Sequence, residues 1–369
     1  MAFKIGMDVR MISHSGIGVR IQNILSHLVL KDDYEIYLFG DPEKISNFSI
    51  PSHSQVVPYF AKIYSLSEMF GHSKMKEMDL LDIPHFNIPI PYLEKCIVTI
   101  HDLIPWIMKE LHSSIAKRLY LRFVLNQIKN RAKCIITVSD HTKQDFIRCI
   151  GQPKNAISTI YNGVHSNLYS LQSPKNIQDF QMKYNLPDKY FLTVGIGKGH
   201  KNFEFLIRNL IVLWNQGALD IPLLLAGTSD FLPGIMRNLP LNIKKKIFIL
   251  PRIPDLEMPI LYQSSYALLY PSLYEGFGFP VVEAQAVGCP VLSSNASVLP
   301  EILNSSAEFF DPKADSNIQD KIIELSNADD SYLNEMRTKG FQNVKRFSWE
   351  KGTKEIQVLY EQYCQKSSH

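Results

Sequence analysis

The sequence predicts two doubly wound α/β domains in one chain, and three observations carry that expectation. Short apolar runs alternate with helical stretches throughout, the pattern of parallel sheets with helices on both faces. The alternation stops near residue 169 and restarts near 189. The chain has 369 residues, more than the roughly 100–200 of one ordinary domain.

In the first half, Phe3–Met7 reads as a strand, followed by a glycine-containing loop and a helix from about Val19 to Leu28. Tyr34–Phe39 and Gln55–Tyr59 read as further strands. Ile97–Ile100 and Cys134–Val138 are β-branched runs bounded by polar residues, as buried parallel strands are. A long helix is expected between them, from about Ser113 to Arg131. The stretch His165–Lys189 is polar and holds Ser173-Pro174 and Pro187-Asp188, which predicts a linker. Strands then resume at Tyr190–Val194, Leu223–Ala226, Ile247–Leu250, Ala267–Pro271 and Pro290–Ser293. From about Trp349 one amphipathic helix carries Ile356, Leu359 and Tyr360 on one side. The expected organisation is an N-terminal domain at 1–168, a linker at 169–188, a C-terminal domain at 189–349, and a helix at 350–366 rejoining the first domain. Ligands of such sheets bind beyond the carboxyl ends of the strands, so a cleft between the two domains is expected to hold the chemistry.

Composition excludes several classes. Hydrophobic residues make 45% and charged residues 20% of the chain, which argues against a disordered protein. No stretch approaches the roughly 20 apolar residues of a membrane span. The start, MAFKIGMDVR, is charged at Lys4, Asp8 and Arg10 and has no signal-peptide core. Five widely spaced cysteines without a CxxC pair fit reduced thiols in the cytoplasm and argue against a zinc site. A net charge of +3 argues against a strongly basic nucleic-acid binder. The eleven histidines show no ligand spacing, and no paired-aspartate metal motif stands at a strand end, since Asp32-Asp33 and Asp329-Asp330 fall in turn-like stretches. Gly16-x-Gly18 resembles part of a dinucleotide fingerprint, but Ile21 stands at its third glycine position, which makes a dehydrogenase a weak competitor.

The most informative segment runs from Pro271 to Glu283. A strand ends near Tyr270, a glycine loop follows, and Pro280 suits the first position of a helix. Free backbone N–H groups between Gly276 and Val281 would meet an anion or sugar oxygens. Glu275 in the loop, and Glu283 expected in the first helical turn, are acceptors for vicinal sugar hydroxyls. Either glutamate alone reads as an ordinary loop or helix-start charge. The whole segment does not.

This segment resembles the E-x7-E signature of retaining glycosyltransferases with the GT-B fold, most closely glycosyltransferase family 4. Ser15–Gly18, His85-Phe86-Asn87, Val98–Pro105, Thr137–Lys143, Tyr161–Val164, Gly195–Asn202, Leu225-Ala226-Gly227 and Ser294–Glu301 resemble further family segments in the family's order. The resemblance implies a GT-B architecture, two Rossmann-like domains facing a central cleft. It implies a hexosyltransferase, similar to bacterial mannosyl- or rhamnosyltransferases of surface polysaccharide and lipopolysaccharide assembly. The donor would be a GDP- or UDP-linked sugar, the acceptor a glycan or lipid-linked glycan, with no cofactor and no metal required.

By the same resemblance, Glu283 binds donor ribose hydroxyls and Glu275 meets the donor hexose. The amides around Gly276, Phe277 and Gly278 hold donor oxygens, and Lys201 pairs with the diphosphate beside Asn202. Gly16, Gly18 and Gly195 let backbone approach the donor, and His101 lies near the donor sugar. His85, Asp102 and Ser139 are acceptor-side candidates. The chain departs from the family at Ile196 and His200, where family members carry arginines. Lys198, His200 or Arg252 is therefore expected to supply the missing phosphate contact, with a surface arginine the plain alternative for Arg252. A nucleotide-sugar epimerase of the same fold and a non-catalytic sugar-nucleotide binder are the alternative functions.

Between Lys109 and Arg148 there are nine Lys or Arg residues against Glu110, Asp140 and Asp145. Arg118, Arg122 and Lys129 fall in one helical stripe flanked by Ile115 and Leu125, with Trp106 just upstream. This fits either a peripheral contact at the inner face of an anionic membrane or a solvated helix face.

Overall fold

The computed structural model describes residues 2–31, 33–108, 115–165, 167–195, 197–227, 234–236, 239–250 and 252–365. Ile196, Lys109, Glu110, Ser113 and Asp32 lie outside the described residues, as do His112, residue 366 of the C-terminal helix and His369. The chain forms two compact units, one made of Met1–Gly163 with Phe347–His369, the other of Val164–Arg346.

The first unit is built on a seven-stranded sheet of order β3-β2-β1-β4-β5-β6-β7. Its strands are β1 (Phe3–Asp8), β2 (Tyr34–Gly40), β3 (Ser54–Pro58), β4 (Leu80–Ile83), β5 (Cys96–Ile100), β6 (Cys134–Thr137) and β7 (Ala156–Thr159). All pairings are parallel. The order reverses between β1 and β4, so the switch point of the sheet lies beyond their carboxyl ends. Strand β4 is fully buried although Asp82 sits inside it. That charge interrupts its apolar run, and the sequence gives no other sign of the strand.

The second unit repeats the design with six parallel strands of order β10-β9-β8-β11-β12-β13. They are β8 (Phe191–Val194), β9 (Leu223–Ala226), β10 (Ile247–Leu250), β11 (Ala267–Tyr270), β12 (Val291–Ser294) and β13 (Glu308–Phe310). Here the switch point lies beyond β8 and β11. Strands β8, β9, β11 and β12 are buried along their whole length, as strands covered by helices on both faces must be.

Three local expectations change. The first helix is Ser15–His27, so Gly16 and Gly18 sit in its first turn and not in a loop. A Cβ at Gly18 would collide with the carbonyl oxygen of Ile12, which explains the glycine by close packing. The expected linker is largely a helix, Pro174–Tyr184, capped by Ser173 Oγ, which accepts from the Asn176 N–H at 3.2 Å. Ser-Pro here is a helix start, with serine as cap and proline in the first turn. Phe180 is buried, and Tyr184 donates to Glu257 at 2.6 Å, so this helix belongs to the second unit. Third, Glu283 lies in the second turn of its helix, Phe279–Ala286, because Gly278 at φ +90° caps it and Phe279 opens it.

The C-terminal helix Trp349–Gln365 returns to the first unit. Ile356 and Tyr360 join the core formed by Ile5, Met7, Ile21, Ile24 and Leu80. Gly163 and Trp349 lie side by side where the chain leaves and re-enters this unit. Beneath the helix, the Tyr360 hydroxyl donates to Asp82 Oδ2, and the buried Arg20 donates to Asn162 Oδ1 at 2.7 Å. Burial pushes the Asp82 carboxyl up to about 6 against the hydrogen bond from Tyr360 and the charge of Arg20.

Tyr360→Phe removes a donor from a buried carboxylate, a loss of about 1–3 kcal/mol. Because that hydrogen bond stabilises only the ionised form, Asp82 titrates still higher in the variant. Thermal unfolding is therefore expected to show a larger drop in Tm at pH 8 than at pH 5, where Asp82 is mostly protonated in both proteins.

Candidate active site

The switch point of the second sheet brings together two loops from distant parts of the sequence. After β8 comes Gly195 at φ +79°, then the turn Gly199–Lys201. After β11 comes the loop that carries Glu275. The two are stitched by backbone, since the Leu273 N–H donates to the His200 carbonyl at 2.7 Å. Asn202, at φ +56°, opens the helix Phe203–Asn215, and its Nδ2 donates to the Pro312 carbonyl at 3.1 Å. Its side chain thus anchors the turn.

Glu275 is the centre of the site. Its Oε1 accepts from Lys201 Nζ at 2.7 Å, from the Tyr270 hydroxyl at 2.8 Å and from Ser272 Oγ at 2.6 Å. Its own N–H donates to Ser297 Oγ at 2.9 Å. Burial alone would push this carboxyl up. The charge of Lys201 and the hydrogen bonds from Lys201, Ser272 and Tyr270 outweigh burial and hold it below its ordinary value, so it is a carboxylate at neutral pH. Lys201 Nζ also donates to the Tyr270 hydroxyl at 2.7 Å and stands 4.9 Å from the centre of that ring. An ammonium has three N–H donors. Two are used among the described residues.

Glu283 meets the opposite balance. Its Oε2 accepts from the Tyr262 hydroxyl at 3.1 Å, and Tyr169 is a further hydrogen-bond partner. Burial nevertheless pushes it up to about 7. The loop joining the glutamates is packed, with Phe277 buried and its ring edge-on to Phe279 at 5.2 Å. Gly276 and Gly278 are buried beside it.

Of the three basic alternatives, His200 is buried and desolvation lowers it to about 4, against the raising effect of Glu275. At neutral pH this leaves a neutral ring. Lys198 and Arg252 are exposed.

The remaining candidates lie in the first unit. His101 Nε2 lies 2.8 Å from the Pro84 carbonyl, and burial and the charge of Arg20 lower it to about 3. His85 faces it at 6.1 Å between ring centres and is lowered well below the usual histidine range by burial. Both rings are neutral. Asp102 Oδ1 accepts from the Ile104 N–H at 2.9 Å. Ser139 caps the helix Asp140–Ile150, accepting from the Thr142 N–H at 3.1 Å, a structural use of the hydroxyl. Among the described residues, no group of three or more His, Cys, Asp or Glu is placed to hold a metal.

Sequence reasoning missed Tyr270, Ser272 and Ser297 around Glu275, and Tyr262 and Tyr169 around Glu283. Tyr270 borders the very segment singled out and Ser272 lies within it, and their position at a strand end was the available signal. Tyr169 and Tyr262 left no trace, because only the fold brings them to Glu283.

Comparison with known proteins adds independent findings. A family model described as "Glycosyl transferases group 1" matches residues 174–346, and one described as "Glycosyltransferase Family 4" matches residues 15–168. The chain is 31% identical over 273 residues to an O-antigen chain mannosyltransferase B of Escherichia coli, covering 73% of this chain and 71% of that protein. It is 29% identical over 313 residues to an O-antigen chain mannosyltransferase of Salmonella typhimurium, covering 83% and 82%. Among solved structures it resembles a sucrose-phosphate synthase of Thermosynechococcus elongatus, with TM-score 0.78, 18% identity and 98% of each chain covered. It also resembles an Anabaena protein in complex with UDP-glucose, with TM-score 0.74, 18% identity, and 97% and 99% covered. At these identities the structures speak for the fold, which is GT-B.

The Lys201–Glu275 pair is nearly buried, with 12% of each side chain exposed. Breaking such a pair from one side costs about 3–5 kcal/mol. Lys201→Met is expected to lose that stability at pH 7 and less of it near pH 4. The sign follows from the depressed Glu275 value, whose contribution is present above the unfolded carboxyl range and fades as pH falls through the folded value. Adding Glu275→Gln restores most of the loss, as a double-mutant cycle of unfolding midpoints would show.

Proposed function

Because the chain belongs to glycosyltransferase family 4, we propose that it is a retaining hexosyltransferase that moves a mannose-like sugar from a GDP- or UDP-linked donor to a glycan or lipid-linked glycan acceptor, in surface polysaccharide assembly. The mannose assignment is supported by the names of the two enterobacterial relatives. A nucleoside-diphosphate donor is supported by the Anabaena complex with UDP-glucose. The observation that carries the reading is the ionised Glu275 held against Lys201 at the switch point of the second sheet. Those relatives are named transferases, which disfavours the epimerase and the non-catalytic binder.

In this reading the third N–H of Lys201 takes a diphosphate oxygen, where negative charge grows as the donor bond breaks. Glu275 Oε2, which takes no part in the bonds to Lys201, Tyr270 and Ser272, accepts a hydroxyl of the donor sugar. Glu283 accepts ribose hydroxyls, and the amides around Gly276, Phe277 and Gly278 meet donor oxygens. The bond from the anomeric carbon to the phosphate oxygen breaks, and the acceptor oxygen bonds to that carbon on the same face. The acceptor proton passes to the leaving phosphate oxygen. The protein positions and stabilises charge, and the route needs no metal.

The peripheral membrane contact takes a different shape from the expected stripe. Leu125 is core, and Lys129 Nζ donates to the Ile150 carbonyl at 3.3 Å. On the helix Ile115–Arg131, the exposed apolar residues are Ile115, Leu119 and Phe123 at successive four-residue spacing, beside Arg118 and the exposed Arg122. Such a face suits an anionic bilayer, where each cation adds about 1 kcal/mol. Among the described residues no helix is long and apolar enough to cross a membrane.

Glu275→Ala is expected to fold and bind donor while its kcat for release of nucleoside diphosphate falls on the order of 100-fold. Glu283 should show itself in binding. Calorimetric affinity for GDP-mannose or UDP-glucose rises from pH 6 to pH 8 as Glu283 ionises through about 7, and Glu283→Gln flattens that rise. Wild-type turnover by Glu275→Ala, with a pH-independent donor affinity in the wild type, would defeat the assignment.

Co-sedimentation with vesicles of phosphatidylglycerol and phosphatidylcholine tests the membrane face. Leu119→Glu/Phe123→Glu and Arg118→Glu/Arg122→Glu are each expected to abolish binding that the wild type shows at low salt. Undiminished binding by both variants speaks for a solvated helix face.

A further inference from the structure

The switch point of the first sheet holds an arrangement that the donor site does not use. Beyond β1, the Arg10 guanidinium grips Asp8 through Nε and Nη2, with the closest contact at 2.6 Å. It also donates to the Ala61 carbonyl at 2.9 Å and stacks 4.3 Å from the centre of the Tyr59 ring. Behind it lies Glu68, 1% exposed, with Oε1 3.6 Å from Arg10 Nη2. Glu68 Oε2 accepts the backbone N–H of Tyr64 at 2.5 Å.

Tyr64 is the odd residue in this set. Its φ is +65°, a left-handed conformation that a bulky aromatic residue rarely adopts. Such strain persists only where the surroundings hold it, and it concentrates at functional sites. The Glu68 bond holds the backbone. At the other end the Tyr64 hydroxyl lies 3.2 Å from His85 Nε2, and the ring stands edge-on to His85 at 6.4 Å and tilted to Phe86 at 6.1 Å. Yet the residue is 56% exposed. Below it, His85 Nδ1 is buried without a hydrogen-bond partner among the described residues.

We infer that Tyr64 is a stacking platform for one neutral pyranose ring of the acceptor, and that Glu68 is its positioning residue. This rests on the glycosyltransferase reading for the word acceptor, but the binding itself does not depend on donor turnover. An exposed aromatic face with a fixed polar tip is the surface that a sugar ring meets, apolar C–H groups on the ring and hydroxyls at the edge. The charge pattern selects a neutral sugar. The carboxyl groups of Asp102 and Glu68 act on the Tyr64 hydroxyl, the Arg10 fork is committed to Asp8 and Ala61, and burial keeps His85 and His101 neutral, which favours a neutral ring over an anion even with the exposed Lys62 in the same turn. Phe60, Leu66 and Phe70 nearby are exposed apolar side chains. Tyr64 differs from them in that its hydroxyl and its backbone N–H are both tied to buried groups.

The test is saturation-transfer NMR with octyl α-mannoside as probe, on the full chain. Wild type is expected to transfer saturation to the pyranose ring protons. Tyr64→Ala should weaken the apparent affinity roughly five- to tenfold, the scale of one aromatic contact, with Tyr64→Phe closer to wild type. Glu68→Ala should match Tyr64→Ala, and Glu68→Gln, which still offers an acceptor oxygen to the Tyr64 N–H, should restore binding. The thermal shift with GDP-mannose or UDP-glucose and the vesicle co-sedimentation should be unchanged in Tyr64→Ala. Unaltered mannoside affinity in Tyr64→Ala overturns the proposal. So does absence of saturation transfer in the wild type, or a Tyr64→Ala defect confined to vesicle binding. Mannoside binding through Tyr64 in a protein that turns over no donor would uphold the platform and refute the transferase reading instead.

Discussion

A carboxylate buried at the end of a parallel strand is costly unless its charge is answered on the spot. Glu275 is answered by Lys201, Tyr270 and Ser272 on a single oxygen, and much of the second unit follows from that requirement. Lys201 must arrive from the loop after β8, so β8 and β11 must be neighbours, which makes their junction the switch point of the sheet. The turn bearing Lys201 must be fixed, which Asn202 and the Leu273 to His200 backbone bond accomplish. The same packing leaves Glu283 with tyrosine hydroxyls alone, so two glutamates eight positions apart end with opposite tendencies, one ionised and one near neutrality. Pairs of carboxyls separated in this way serve distinct roles in one site.

The first unit solves a related problem with different groups. Its switch point also gathers buried charge, and there the Arg10 guanidinium is shared between the carboxyl groups of Asp8 and Glu68. What reaches the surface is the Tyr64 ring, with the buried imidazole of His85 behind it. The switch point of the second sheet thus presents a cation and a carboxylate, and that of the first an exposed aromatic ring.

The fold was legible because parallel strands announce themselves as short apolar runs, and the strands expected in each half are present within a residue or two. The strands that escaped are those where the signal is physically weak. Asp82 interrupts β4, β13 is three residues long, and β7 is half exposed. The segment around Ser173-Pro174 was misread because capping and linker chemistry use the same residues. The site was legible where its residues lie close in sequence, as Tyr270 to Glu283 do. Lys201 was placed by its resemblance to a family segment, and its partner by the fold. Tyr169 and Tyr262, which meet Glu283 from outside the motif, and Tyr64, whose meaning lies in its φ angle and its tie to Glu68, have no local signature. The basic stripe shows what spacing does not carry: Leu125, expected to flank Arg118, Arg122 and Lys129, is buried in the core.

The central proposal is that Lys201, held in place by Glu275, seats the donor diphosphate. Lys201→Met/Glu275→Gln replaces both charges with neutral groups of similar shape and keeps the fold testable by its unfolding midpoint. Calorimetric titration of GDP and UDP into the wild type and this variant is the direct measurement. The account predicts that the nucleotide bound by the wild type loses at least about tenfold in affinity, roughly 1.4 kcal/mol. An unchanged affinity in the folded variant would contradict it.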